Sequence, residues 1–487
     1  MADQGQKITS RYEPVIGLEV HCQLKTVSKL FCGCSTAFGT LPNEQVCPVC
    51  LGMPGVLPVL NKKAVDYSIK MGLALGSQVH QKSEFSRKQY FYPDLPKNYQ
   101  ITQYDHPVCE GGGIRLDDGK WVRLNRIHIE EDAGKSVHEG RYSYLDLNRA
   151  GTPLIEIVSE PDLSSPLEAS EYLKKLRDIA RYLDVSDGNL EEGSFRCDAN
   201  VSLRPRGTKT LGVRCEIKNL NSFRNIEKAI AWEMLRQADL LDEGRDVEQQ
   251  TRLWDPAAGK TRFMRAKGDG EDYRYFPDPD LPPLILTSRR INDLKASLPE
   301  LPHEKALRYQ ESLGLTEDDA LRITADKDLA DFFEQTQSLC GGGLPAKLIA
   351  NWLCAEYLRE HHDRQWSFGV SGVTAKDFAD LMNLINKNTI SGKIAKKVFK
   401  TMAETGKSAS VIVSEENLEQ ITDESSVFTV IEDILDAHPG QVAEFHSGKS
   451  KLLGFFVGKI MAKGQGKFNP GLVQRLLRKA LDARDHQ

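Results

Sequence analysis

The chain has 487 residues, too many for one ordinary domain and enough for roughly three. Its 40% hydrophobic and 27% charged content is that of a folded globular protein and excludes a disordered one. A formal charge of −5 excludes an overall basic field, so any grip on nucleic acid must come from local patches.

Met1–Ser10 has neither an apolar core nor an arginine-rich amphipathic pattern, and no apolar run nears the ~20 residues that span a bilayer. A cytoplasmic protein without membrane contact is expected, its ten cysteines serving as free thiols or metal ligands. The first predicted strand covers Val15 to Leu24. Ile16, Leu18, Val20, Cys22 and Leu24 point one way, while Gly17, Glu19, His21 and Gln23 point the other. His21 and Cys22 therefore face opposite sides and make no nucleophile–base pair.

Next comes a C-x-C, twelve-residue gap, C-x-x-C arrangement: Cys32, Cys34, Cys47 and Cys50. Two close pairs on short turns can converge on tetrahedral Zn²⁺, and four thiolates close the shell, so the site is structural. Ile127–Glu130 then puts His128 and Glu130 on one side, and Glu156 interrupts the apolar run Leu154–Val158. A carboxylate embedded there is costly unless paired or bound to a metal.

Ser165-Pro166-Leu167-Glu168 predicts a helix start with a capping box, followed by a stripe of Leu173, Leu176, Ala180 and Leu183. Phe195 to Leu203 alternates against Arg196, Asp198, Asn200, Ser202 and Arg204. Val213, Cys215 and Ile217 alternate against Arg214, Glu216 and Lys218. Another helix runs from about Ser222 to Leu241, with Phe223, Ile226, Ile230 and Met234 as its stripe. Ala133–Ser136 and Ala258–Thr261 imitate the end of a P-loop, but the required earlier glycine is Ile129 or Trp254.

Four prolines in Pro277–Pro283 break regular structure. Beyond Pro302 the chain reads as helical, with starts at Leu344-Pro345, Thr374-Ala375 and Asn469-Pro470 and a relaxed join between Gly406 and Asp423. The fold class is α+β: an antiparallel-sheet domain with helices over 1–293, an all-helical domain over 294–410 and a small helical tail over 411–487. From Gln441 to Gln487, nine Lys and Arg outnumber three acids, among them Lys449, Lys451, Lys459 and Lys463. Such a basic end suits phosphate contact.

Taken strand by strand, the polar faces read equally well as solvated surface. Taken together, oxygen ligands with one imidazole on a rigid sheet suit Mg²⁺ or Mn²⁺ carrying nucleotide phosphates, with Arg and Lys neutralising phosphate charge.

Long segments, in order, resemble the B subunits of tRNA-dependent amidotransferases: Val15–His21, Tyr90–Lys97, His128–Lys135, Asp146–Arg149, Gly151–Ile157, Glu191–Asp198 and Asp272–Pro277. The resemblance implies a cradle-shaped first domain and a heterotrimer with an amidase (A) subunit and a small C subunit. It also implies ATP-dependent activation of Glu-tRNA(Gln) or Asp-tRNA(Asn), misacylated tRNAs that are then amidated by channelled ammonia. By resemblance, the magnesium site comprises Glu19, His21, Glu130 and Glu156, with Asp198 and Arg196 beside the nucleotide. Glu131 and Lys97 fall at the mouth of the ammonia passage, the cysteine quartet implies zinc, and the tail implies tRNA contact. The archaeal-type paralogue carries a large insert for which there is no room between Pro283 and Leu321. A zinc-containing tRNA-binding protein without catalysis remains the alternative.

Overall fold

The computed structural model describes residues 8–266, 273–341, 343–368, 372–421, 423–464 and 467–484. Asp272 of the last resembling segment, Asp485 of the tail's charge count and the start of Met1–Ser10 lie outside them. The chain divides into two units, Met1–Leu301 and Pro302–Gln487.

The first unit is built on one large sheet. Its main strands are β1 (Tyr12–Gln23), β2 (Trp121–Glu131), β3 (Pro153–Ser159), β4 (Phe195–Pro205), β5 (Cys215–Leu220), β6 (Gln250–Asp255) and β7 (Lys260–Ala266). They are ordered β7-β6-β5-β4-β1-β3-β2, and the short strands Cys109–Glu110 and Gln78–Val79 extend the sheet beyond β2. The side chains alternate as the sequence predicts: Ile16, Leu18, Val20 and Cys22 are buried in the core, whereas Glu19 and His21 open to the other face. A one-residue slip would exchange the two sets, burying charge and exposing residues worth about 1.5–3 kcal/mol each. That asymmetry fixes the register.

Two helices cover the apolar face, α1 (Pro166–Tyr182) and α2 (Phe223–Asp242), whose Leu173, Leu176, Ile226 and Ile230 join the same core. Ser165 caps α1 by accepting from the Glu168 amide at 3.1 Å. The reciprocal half of the box shifts by one residue, since the Glu168 carboxylate accepts from the Ser164 amide at 2.8 Å.

The sheet departs from the sequence reading in two places. β5 and β6 pair in parallel, because α2 connects them and returns the chain to the same end of the sheet. In addition, β5 begins at Cys215, leaving Val213 47% exposed rather than in the core. Both P-loop imitations lead into strands: Lys135 opens Lys135–Glu139 and Lys260 opens β7.

Among its described residues the second unit is helical and encloses two apolar cores, one spanning Ala306–Val413 and one Val427–Leu481. Thr374 caps its helix by accepting from the Asp377 amide at 3.2 Å. Asn469 caps the last helix, Pro470–Arg484, where Leu476 and Ala480 are buried.

Replacing the α1 cap by Ser165→Ala should cost about 1 kcal/mol. A lower urea midpoint at unchanged slope is the expected result, and an unchanged midpoint would show the cap to be idle.

Candidate functional site

Register brings the polar residues into one row. His21 on β1 lies opposite Glu156 on β3 and Arg196 on β4, and Glu156 lies opposite His128 on β2. Glu130, two residues along β2 from His128, stays on that face. His21, Glu130 and Glu156 offer ligand atoms that all lie within 4.8 Å of one another. His128 Nε2 bridges the carboxylates, 3.1 Å from Glu130 and 3.4 Å from Glu156, and His21 Nε2 is 3.5 Å from Glu156.

Glu19 does not join this trio. Asn200 holds it at 2.8 Å, and it lies instead beside Asp198, its partner across β4. Asp198 accepts from Lys218 at 2.5 Å, and Lys218 also reaches Glu216 at 3.1 Å. Arg196 is turned to the buried Asp132 at 2.9 Å, which Gln23 also reaches at 2.6 Å.

Buried charge at this density needs mutual neutralisation. Burial alone would discharge His128, but Glu156 and Glu130 outweigh it and raise its pKa to about 9. Burial also opposes a charge on His21, and the bond to Glu156 overcomes that. In return, burial pushes both carboxyls up, joined at Glu130 by repulsion from Glu156, yet His128 holds Glu130 low and His128 with His21 holds Glu156 well below the usual range. Glu19 has no such partner among the described residues, so burial and then repulsion from Glu156, Glu216 and Asp198 raise it.

The trio's His21 and Glu156 lie in a cleft of about 770 Å³ that is also lined by Glu19, Lys88, Tyr90, Asp198, Lys218 and Tyr273. That volume falls within the range of small-molecule sites. The three donors are oxygen and imidazole, a set that suits a hard divalent cation.

Glu131 faces the other way. Adjacent to Glu130 on β2, it pairs with Lys97 and accepts from the Ile101 amide at 3.0 Å. Together with Lys97 it lines a separate cavity of about 90 Å³, walled also by Cys32, Cys50, Lys29 and Gly151. The four cysteine sulfurs converge within 4.8 Å of one another. Cys47 and Cys50 stand 3.9 Å apart, close to the ~3.8 Å edge of a tetrahedron with Zn–S of about 2.3 Å. The quartet therefore fits zinc.

In the tail, Lys449 pairs with Glu444 and Lys463 with Asp433. The acidic helix Glu424–Asp436 also takes Arg475 and Arg484. Lys451 and Lys459 are the two of the four lysines outside such pairs among the described residues.

The strand reading noted His128, Asn200 and Glu216 without giving any of them an individual role, and took Lys218 only as one of the cations that neutralise phosphate. Gln100 and Thr102, which donate to Glu130 at 3.0 and 2.6 Å, carry no sequence signal, because their relevance arises only when a distant strand crosses Glu130. Among the described residues no helix is long and apolar enough to cross a membrane.

Residues 14–292 match the family described as the GatB/GatE catalytic domain, and residues 331–481 match the GatB domain. Over 476 residues the chain is 52% identical to the B subunit of the aspartyl/glutamyl-tRNA(Asn/Gln) amidotransferase of Desulfotalea psychrophila, covering 97% of this chain and 99% of that one. It is 51% identical to the protein of the same name from Persephonella marina, covering 96% and 99%. The counterpart in a Geobacter strain is likewise 51% identical, covering 97% and 99%.

The raised His128 pKa gives a signed pH dependence in chelator. Its stabilisation is complete below the ordinary value of 6.5 and is lost as pH rises through about 9. The Tm in chelator should therefore fall across that window, and Mg²⁺ should flatten the fall by replacing the protons with a cation. A flat Tm in chelator would rule out an imidazolium between the carboxylates.

Proposed function

The chain belongs to the GatB/GatE family, as a B subunit of the glutamine-hydrolysing aminoacyl-tRNA amidotransferases, and from that premise we propose that it carries the activation and amidation steps. The substrate is misacylated Glu-tRNA(Gln), Asp-tRNA(Asn) or both. Its side-chain carboxylate attacks the γ-phosphorus of ATP and releases ADP. Ammonia then attacks the acyl carbon and expels inorganic phosphate, giving the amide. An amidase (A) subunit supplies the ammonia from glutamine, and a small C subunit completes a heterotrimer.

The observation that carries this reading is the meeting of His21, Glu130 and Glu156, the first and last of which line a cleft of nucleotide size. Those three would hold Mg²⁺, with Glu19 nearby, and the cation would supply charge neutralisation for phosphoryl oxygens. Lys218 and Lys88 add cationic charge to the cleft, and Asp198 orients Lys218 by direct pairing. Asp132 fixes Arg196 near the same end of β4.

The smaller cavity supports a separate role for Lys97 and Glu131. Its ~90 Å³ has room for a few water-sized molecules but not for a nucleotide. It therefore suits ammonia on its way to the cleft. In the tail, Lys451 and Lys459, with Lys449 and Lys463 when their partners yield, would contact tRNA phosphates. The quartet would hold structural zinc.

Reconstitution with both partner subunits and mischarged tRNA tests the central claim. Glu130→Gln and Glu156→Gln should each lower amidation roughly 100-fold or more while leaving tRNA binding unchanged. Full amidation by both variants would instead favour the zinc-containing tRNA-binding alternative.

Lys97→Met should separate the two nitrogen sources. Glutamine-driven amidation should fall about tenfold while the rate with added ammonium salt stays within about twofold. Equal losses from both sources would remove Lys97 from the passage.

A further inference from the structure

Lys29 is 1% exposed, and its side chain is among the largest that the fold buries completely. A buried ammonium is costly unless a counter-charge lies within reach. Its Nζ donates to the Gln45 carbonyl at 2.7 Å, the Leu147 carbonyl at 3.3 Å and Cys50 Sγ at 3.5 Å. Among the described residues it has no carboxylate at ion-pair distance. Carbonyl dipoles solvate the charge without cancelling it, so the thiolate form of Cys50 is the partner that can.

The surroundings are as fixed as the ammonium. The Lys29 amide donates to the Cys34 carbonyl at 2.9 Å, and the Gln45 amide donates to Asn148 Oδ1 at 2.8 Å. Gly151, in a left-handed conformation with φ of 85°, sits between the parts. A methyl group there would lie 3.5 Å from Lys29 Cδ, 3.6 Å from Cys50 Cβ and 3.8 Å from Glu131 Oε2. The cysteine loop, the Leu147–Gly151 turn and the wall of the small cavity thus meet at Lys29.

We propose that Lys29 is a positioning residue for the zinc centre: its ammonium donates to the Cys50 thiolate and offsets part of the net −2 charge that four thiolates leave around Zn²⁺. Retention of the metal then depends in part on this buried cation, because removing it leaves the buried Cys50 thiolate without its cationic donor. A hydrogen-bonded partner outside the metal's own ligands is typically worth a factor of 10–100 in affinity. The proposal rests on the zinc reading of the quartet.

The test uses the full chain expressed with zinc. Metal content is measured first, then the rate of zinc transfer to a chromophoric chelator for wild type, Lys29→Met and Lys29→Gln. Both variants should release zinc about 10–100 times faster. In cobalt-substituted protein, the thiolate-to-metal charge-transfer band should move to lower energy in both, since a thiolate without its cationic donor gives up an electron more readily. A merely structural role would leave that band in place. Lys29→Gln keeps a donor for the carbonyls, so it supplies both readouts should Lys29→Met not fold. Wild-type release rates with an unmoved band overturn the role of Lys29 alone, whereas wild type lacking stoichiometric zinc overturns the zinc reading and this proposal with it.

Discussion

Everything at this sheet follows from the rule that successive residues on a strand face opposite ways. On β2 that rule separates Glu130 from Glu131 across the thickness of the sheet. Glu130 joins His21, His128 and Glu156, whereas Glu131 joins Lys97 and the cysteine-walled cavity. Two carboxylates in adjacent positions thus acquire unrelated environments without any special backbone conformation. The crossing strand Tyr99–Thr102 reads both: the side chains of Gln100 and Thr102, on one face, donate to Glu130, while the backbone amide of Ile101 donates to Glu131. Gln100 also donates to the Glu131 carbonyl at 2.8 Å, locking the two strands where the environments divide.

The same rule explains how much of the site is legible in the sequence. β1 and β4 alternate without interruption, so Glu19, His21, Arg196 and Asp198 fall on one face by alternation alone. Helix ends are legible for a similar reason, since Ser165, Thr374 and Asn469 use side chains that have few better places to be. The cysteine spacing constrains geometry just as tightly. What escapes depends on partners distant in sequence. Gln100 and Thr102 acquire meaning only at the crossing with β2, and the parallel β5–β6 pair only from the return path of α2. The tail shows the limit of counting charge along a chain, because the acids that take Lys463, Arg475 and Arg484 come from Glu424–Asp436, ahead of the basic stretch itself.

Glu19 shows why position on a face is not yet membership of a site. It lies on the same strand and face as His21, yet a two-residue step along β1 carries its carboxylate out of the trio and into the group formed by Asn200, Asp198, Glu216 and Lys218. The difference is electrostatic as well as geometric. In the trio, histidines hold the two carboxylates ionised. Around Glu19, burial and then the charges of Glu156, Glu216 and Asp198 outweigh the Asn200 amide, so its charged form is disfavoured. Any cation entering the cleft therefore meets two acidic groups prepared differently, one whose charge its histidines favour and one whose charge burial and its acidic neighbours oppose.

That difference bears on the order of events in the proposed reaction. A nucleotide brings its own negative charge, which repels the acids of the cleft unless a cation arrives with it. At the trio, a divalent ion would neutralise the carboxylates that His128 and His21 now balance. In the same cleft as Glu19, Lys218 is already engaged by Asp198 and Glu216. Under the proposed reaction, phosphate groups entering there would compete with those acids for the lysine. If cation and nucleotide share the cleft as proposed, the sheet's own charges would couple their binding.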